Sequence, residues 1–274
     1  MAQDKRDCVP IPQPPGYPFV GNVTDIDPVL PIDSLCNLGD QYGEIFSLTI
    51  FGKRRTFITT QALADEVCDE KRFGKTVQAG LNELRKGVGD GLFTAHTEEE
   101  NWSIAHRVLV PAFGPLNLSG MFDDMKDIAS QLVLKWARYG TDYSIPVAED
   151  FTRLTLDTLA LCAMDYRFNS FYTEEQHPFI DSMMNFLKIG AGRARRPGYL
   201  APFYRAEDAV FQQHVEYMRD LSAGIVKTRI ENPKESKDLL NAMVKGKDPK
   251  TGKGLDNETI INNMITFLIA GERY

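Results

Sequence analysis

The chain has 274 residues, of which 43% are apolar and 25% charged, and its formal net charge is −7. This composition is typical of a globular protein with enough apolar residues for one large core or two domains. The acidic balance leaves no basic field that would attract nucleic acid or an anionic membrane. No run of eighteen apolar residues occurs, so we expect no membrane-spanning helix.

Cysteine usage and the N-terminus both indicate a cytoplasmic protein. The four cysteines, Cys8, Cys36, Cys68 and Cys162, are irregularly spaced and form no Cys-x-x-Cys pair. They are predicted to be free thiols in a reducing compartment. The first residues, MAQDKRDCVPIPQPPGYP, lack the apolar core of a signal peptide.

The N-terminal third is predicted to hold an arm, a helix and a hairpin. Seven prolines within residues 1–31 exclude helix and favour an extended arm. Apolar residues from Ile32 onward recur at helical spacing until Gly43, which suits a helix C-terminus. Apolar and polar residues alternate over 44–60, and the segment is rich in β-branched and aromatic side chains. This pattern predicts a hairpin with its turn at Gly52-Lys53.

The rest of the chain is predicted to be helical. One helix is predicted to start at Gln61 and to end near Lys71. A second is predicted between Met121 and Trp136, where apolar residues recur every three or four positions. A final helix follows Asp256, a suitable N-cap, and is apolar on nearly every side, which predicts burial in the centre of the fold. The predicted fold class is therefore mainly α with a small β-sheet lobe. Further helices are predicted over 147–164, 175–190, 206–231 and 236–245, with loops at 190–202 and 245–255.

One helix carries a candidate anion site. Thr97 and Glu100 resemble a capping box, and Pro111 marks the helix end. Trp102 and His106 are four residues apart, so they are neighbours on the helix surface, and each carries an N–H donor. Two interpretations stay open: packing residues at a helix interface, or two donors that hold one anion, with Lys75 as a further cation.

Two other segments allow a plain and a functional interpretation. In the stretch 89–94, Gly89 and Gly91 permit a tight turn that either forms a simple loop or presents Leu92 and Phe93 as an apolar wedge. The run Arg193-Ala194-Arg195-Arg196 is either a solvated loop or a docking patch for an acidic group.

The sequence contains no motif for metal binding, for a hydrolase or for nucleotide binding. His96, His177 and His214 have no metal-ligand spacing with one another or with cysteine, so no metal site is expected from these side chains. No Gly-x-Ser-x-Gly elbow and no glycine-rich phosphate loop after a strand occur, which argues against a hydrolase or a nucleotide-binding protein.

Taken together, these segments resemble the haem domain of the cytochrome P450 superfamily. The arm IPQPPGYPFVGN, the hairpin EIFSLTIFGKRRTFI, and DGLFTA followed by ENWSIAHRVLVPAF are similar to its opening, its first sheet and its haem-edge helix. TRLTLDTLALCAMDYRFNSFY and NNMITFLIAG resemble the self-sufficient fatty-acid hydroxylases, in which a flavin reductase is fused to the haem domain. The likeness extends over nearly the whole chain, with 1–31 as an arm and 32–274 as the N-terminal part of the haem domain.

The resemblance implies a role for each matching residue. It implies haem as the cofactor, a fatty acid or similar lipid as the substrate, and electrons from NADPH through FAD and FMN of a reductase. Haem propionates would bind Trp102 and His106, with Lys75 pointing towards one. Phe93 would lie over the haem face. The remaining implied residues are Leu81, Leu84 and Val88 in the apolar channel, Lys53 and Phe57 at its mouth, and Ala270 and Gly271 at the dioxygen-site kink.

The chain departs from the family pattern at several points. Phe57 lacks the hydroxyl that the family uses for a substrate carboxylate. After Gly271 the family has an acid-Thr pair, whereas this chain reads Glu272-Arg273-Tyr274, and no cysteine lies in the haem-thiolate loop motif that supplies the axial ligand. We therefore expect an incomplete haem domain that is inactive by itself and poor at binding haem. The alternatives are a non-catalytic helical lipid-binding or interaction module and a non-functional truncated product.

Overall fold

The computed structural model describes residues 9–69, 71–78, 80–194, 196 and 202–271. Cys8 with the first residues of the arm, Arg195, and Glu272-Arg273-Tyr274 lie outside the described residues. The chain divides into two compact units, Met1–Lys75 and Thr76–Tyr274. Within the described residues, no helix combines the length and apolar character needed to cross a membrane.

The first unit is built around one hairpin. Strands β1 (Ile45–Ile50) and β2 (Lys53–Ile58) pair antiparallel. Helix α1 (Pro31–Tyr42) packs against β1 and ends at Gly43, whose φ of +96° confirms the predicted glycine stop. Leu38, Phe46 and Leu48 form the small core of this unit. The unit also contains helix α2 (Gln61–Val67).

The hairpin turn and the arm differ from the sequence prediction. Ile50 already pairs with Lys53, so the turn residues are Phe51 and Gly52, one position earlier than expected. The arm is extended along the edge of β1, where the Asn22 N–H donates to Thr49 O at 2.6 Å. A short 3-10 helix, Val23–Asp25, interrupts it, because the prolines leave these three positions free to turn.

The second unit is helical, and its long helices match the predicted ones closely. Helix α7 has the predicted bounds, and Asp256 caps α11 by accepting from Thr259 N at 2.7 Å. The helices are α3 (Gly80–Val88), α4 (Glu100–Leu109), α5 (Pro115–Gly120), α6 (Phe122–Ala137), α7 (Val147–Met164), α8 (Pro178–Arg193), α9 (Arg205–Glu231), α10 (Leu239–Lys245) and α11 (Asn257–Ala270).

Helix α11 packs against α9, α3, α10 and α7, which confirms its central position. Its apolar side, with Met264, Ile265 and Leu268 fully buried, enters the main core. The prediction of an apolar surface on nearly every side is wrong for one stripe. Asn262 and Asn263 are also buried, at 3% and 0% exposure. This polar stripe is used at the candidate site described below.

Two further predictions are wrong in detail. Helix α4 begins at Glu100 with Glu99 in the N-cap position, rather than at Thr97. For Arg193 and Arg196 the prediction of a solvated loop is wrong, because Arg193 belongs to α8 and bonds Glu83 Oε2 at 2.8 Å, while Arg196 pairs with Asp208 at 2.8 Å. Both guanidinium groups have acidic partners on neighbouring helices, which removes them from water.

Candidate functional site

The loop between α3 and α4 is held against the polar stripe of α11. The Leu92 N–H donates to Asn263 Oδ1 at 2.9 Å, and Asn262 Nδ2 donates to Asp90 Oδ1 at 2.8 Å. The approach is so close that a Cβ on Gly91 would lie 2.3 Å from Thr266 Oγ1. Glycine is therefore required at position 91 by packing against α11, and the loop has one defined position.

An ion pair fixes the start of α4. Arg85 donates to Thr94 O at 2.8 Å and to Glu99 Oε2 at 2.9 Å, and the same carboxylate accepts from His96 N at 3.0 Å. Burial of Glu99 raises its pKa, but the hydrogen bonds from Arg85 and His96 outweigh it and leave the pKa lowered. The carboxylate is thus ionised and connects α3, the loop and the first turn of α4.

Trp102 and His106 lie side by side on α4. Their rings stack, with centroids 5.2 Å apart and an interplanar angle of 21°, which confirms the predicted shared face. Trp102 is half-buried and His106 exposed, while Ile104, Ala105 and Leu109 turn to the core. Among the described residues, the indole N–H of Trp102 donates to no acceptor, and the imidazole nitrogens of His106 make no hydrogen bond. Two aligned ring donors are therefore available to an anion.

Apolar side chains are exposed on the same elements. Phe93 is 58% exposed at the tip of the loop, whereas Leu92 packs against the core. Phe113, just after α4, is 44% exposed and lies 5.9 Å from Phe267 of α11, measured between ring centroids. Exposed rings are thus present on both the loop and the segment after α4.

The three channel residues implied by the resemblance lie on α3 and differ in burial. Val88 is 3% exposed and belongs to the main core, and Leu84 packs against that core. Leu81 is half-buried. Their proposed role in a channel stays a prediction.

The remaining implied binding residues belong to the first unit. Lys53 is exposed at the start of β2, and Phe57 lies on the same face of that strand, where its ring stacks on Phe46 at 5.3 Å. Lys75 is exposed at the end of the unit. Their proposed contacts with substrate and propionate stay predictions.

The backbone at the end of α11 is regular. Ala270 is the last helical residue, and Gly271 keeps right-handed angles while its N–H donates to Phe267 O at 2.9 Å. A Cβ at Gly271 would lie 2.5 Å from Leu159 Cδ2, so this glycine permits close packing of α11 on α7.

The described cysteines do not suit a metal thiolate. Burial of Cys162, with a smaller effect of Asp124, raises the pKa of its thiol to about 11, so the thiol stays protonated. Cys36 and Cys68 are exposed residues of the first unit. Within the described residues, no group of three or more His, Cys, Asp or Glu side chains could hold a metal ion.

Comparison with known proteins identifies the family. A family model described as cytochrome P450 matches residues 11–273. The chain belongs to the cytochrome P450 family. A bifunctional cytochrome P450/NADPH–P450 reductase of Aspergillus oryzae is 56% identical over 99% of this chain. A self-sufficient cytochrome P450 monooxygenase of Exserohilum turcicum is 51% identical over 99%, and a bifunctional relative from Fusarium oxysporum is 50% identical over 97%. The chain spans 25% of the length of each of these relatives.

Haem is the cofactor that this family implies, and part of the site fits it. The stacked donors of Trp102 and His106 suit the carboxylates of a porphyrin, and the exposed rings of Phe93 and Phe113 suit its apolar plane. No described cysteine fits the axial position. The sequence analysis does not identify Asn262 and Asn263, the residues that hold the loop. Two adjacent Asn side chains within an otherwise apolar helix are the sequence feature that could have indicated this contact.

Proposed function

We propose that this chain supplies one wall of the haem pocket of a monooxygenase that hydroxylates fatty acids or similar lipids. NADPH provides the electrons through a reductase, as the name of the Aspergillus oryzae relative suggests, and the family resemblance implies that FAD and FMN carry them. Bound haem supplies the activation of dioxygen in such an enzyme. The observation that carries the proposal is the stacked Trp102–His106 pair with available N–H groups.

In this proposal Trp102 and His106 hold the haem carboxylates. A hydrogen bond to an ionised group contributes about 1.5–3 kcal/mol, and two donors on one rigid helix face fix both the position and the tilt of the porphyrin edge. The role of α4 is therefore to orient the cofactor relative to α11.

The loop 89–94 positions the substrate. Asn263 accepts from the Leu92 backbone N–H and Asn262 donates to the Asp90 carboxylate, so the Phe93 ring is held on a rigid support rather than on a mobile loop. Leu81, Leu84 and Val88 provide apolar contact for the lipid chain. Ala270 and Gly271 have the position that the resemblance implies for the helix end beside the dioxygen site.

A graft tests this function. The matching quarter of the Aspergillus oryzae relative is replaced with this chain, and NADPH-dependent oxidation of saturated fatty acids is measured by mass spectrometry of the products. We expect hydroxylated fatty acid and a matched consumption of NADPH. A folded graft with full haem content that oxidises no fatty acid would contradict the proposed substrate class.

The same graft tests the role of Phe93. Phe93→Ala should broaden the distribution of hydroxylated positions, because a removed ring leaves a void in which the chain adopts more poses. Phe122→Ala, the loss of an exposed ring on α6, is the control and should leave the distribution unchanged. If both variants give the parent distribution, Phe93 is only a packing residue.

A further inference from the structure

A cleft of about 390 Å³ lies between the end of α7, the C-terminal half of α9 and α10. It is open to solvent along one side of α9, and its lining residues belong to none of α3, α4, α11 and the loop 89–94. Most of the lining is apolar and comes from Met164, Tyr166, Leu221, Ile225 and Leu240. This volume and this lining are typical of a site for a small molecule.

A glycine forms part of the floor of this cleft, and no packing contact requires it there. Gly224 is an exposed residue in the interior of α9, and a Cβ on it would meet no atom within 4 Å. By contrast, a Cβ on Gly91 or Gly271 would overlap a neighbouring helix. Glycine inside a helix is less favourable than alanine. It does allow a ligand to lie directly on the backbone, so an occupant of the cleft accounts for its presence.

One negative charge of the cleft is uncompensated. Arg229 donates to Asp238 Oδ1 at 2.9 Å. Lys234 donates to Asp165 Oδ2 at 2.5 Å. Both cations of the lining therefore already have carboxylate partners. Among the described residues, the exposed carboxylate of Asp220, which also lines the cleft, has neither an ion pair nor a hydrogen bond.

An aromatic ring lies near this carboxylate. Tyr217 precedes Asp220 by three residues on α9, so the two side chains share a face of the helix. Burial raises the pKa of Tyr217 and the neighbouring Tyr166 raises it further, which places the Tyr166 side chain beside this turn of α9. Gly224 follows Asp220 by one helical turn. A carboxylate, an aromatic ring and a bare stretch of backbone therefore meet at one end of the cleft.

We propose that the cleft binds a lipophilic organic amine, whose apolar body lies on Gly224 and whose ammonium group pairs with Asp220. The Tyr166 ring favours the same cation, because the face of an aromatic ring attracts positive charge. A fatty acid or another anion is disfavoured, since Asp220 would repel it and both cations of the lining are already paired. The proposal goes beyond the proposed hydroxylation and does not depend on it.

Calorimetric titration of the 274-residue chain with three matched probes tests the proposal without any turnover. The probes are diphenylpropylamine, diphenylpropanol and diphenylpropionic acid, which share an apolar body and differ in charge. The amine should bind with one-to-one stoichiometry and about fivefold more tightly than the alcohol, which is the factor expected for an exposed ion pair supported by an aromatic ring. The acid should bind most weakly. An amine that binds no more tightly than the alcohol, or does not bind, would overturn the proposal.

Two substitutions locate the bound amine. Asp220→Asn should abolish the preference for the amine and leave the affinity for the alcohol unchanged. Gly224→Leu should lower the affinity for both compounds at least about tenfold, because the new side chain fills the floor of the cleft. Its thermal unfolding midpoint should not fall, since leucine is a good helix former. The lost affinity is then separated from a loss of folding.

Each substitution has a matched control outside the cleft. Asp142→Asn removes an exposed carboxylate from the segment before α7. Gly192→Leu adds the same side chain within α8, where a Cβ also meets nothing within 4 Å. Both controls should bind the amine as the parent does. Parent-like amine binding by Asp220→Asn or Gly224→Leu, or an equal loss in the matching control, would contradict the proposal.

Discussion

Gly91→Ala should strongly destabilise the second unit. The new Cβ would lie 2.3 Å from Thr266 Oγ1 and 2.8 Å from the Asn262 carbonyl oxygen. The hydroxyl cannot simply rotate away, because it donates to that same carbonyl at 2.7 Å. The carbonyl belongs to the backbone of α11 and is equally fixed, so the loop itself must move outward.

The magnitude follows from what this movement breaks. Overpacking in a filled core costs about 1–3 kcal/mol. Moving the loop also breaks the bond from Leu92 N to Asn263 Oδ1, and Asn263 is fully buried. An unsatisfied buried acceptor costs about 1–3 kcal/mol, so the free energy of unfolding should fall by about 2–6 kcal/mol.

Urea unfolding followed by far-UV circular dichroism measures this loss. Gly224→Ala is the matched control, because a Cβ at this position within α9 meets nothing within 4 Å. It should stabilise the unit by about 1 kcal/mol through helix propensity. The same added methyl group should therefore lower the free energy of unfolding at position 91 and raise it at position 224. A Gly91→Ala variant within about 0.5 kcal/mol of the parent would refute the docked loop.

Three further predictions concern buried and half-buried polar groups. Burial lowers the pKa of His177 although Asp157 opposes this, so the unfolded chain binds the proton first and stability should fall as pH decreases through about 6.5. His177→Asn keeps an acceptor for Phe179 N and should flatten this dependence in urea titrations; an unchanged slope would contradict it. Asp150, fully buried, accepts from Lys135 at 2.5 Å and from Trp136 at 2.7 Å. Asp150→Ala should cost about 3 kcal/mol in unfolding followed by tryptophan fluorescence, and a loss below about 1 kcal/mol would argue against this bond. Arg193→Gln should release Glu83, whose pKa burial raises but hydrogen bonds from Lys86 and Arg193 lower, and nuclear magnetic resonance titration should show that pKa rising.

The helices were predictable where their signal is local. The spacing of apolar residues in 147–164 and the capping Asp256 depend on neighbours within one or two turns, and both predictions are confirmed. The shared face of Trp102 and His106 follows from the four-residue spacing in the same way. The family resemblance is confirmed by the match over residues 11–273.

Features that depend on distant partners were not predictable. The local sequence predicts a solvated Arg193, because its partner Glu83 lies 110 positions earlier in the chain. Asn262 was assigned to an apolar helix because Asp90 is 172 positions away. The hairpin turn was placed one residue late, since Phe51 adopts a left-handed conformation that sequence rules assign to glycine or asparagine.

The most direct test of the haem-edge site is the rate at which haem leaves it. In the graft with the Aspergillus oryzae relative, transfer of haem to excess apomyoglobin is followed by absorbance for the parent, Trp102→Phe and His106→Phe. We predict that each substitution accelerates haem loss at least about tenfold, since each removes a hydrogen bond to a charged group. With haem dimethyl ester, which lacks the carboxylates, the three proteins should lose the cofactor at similar rates. Equal rates of haem loss from the parent and both variants would contradict the assignment of Trp102 and His106 to the carboxylates.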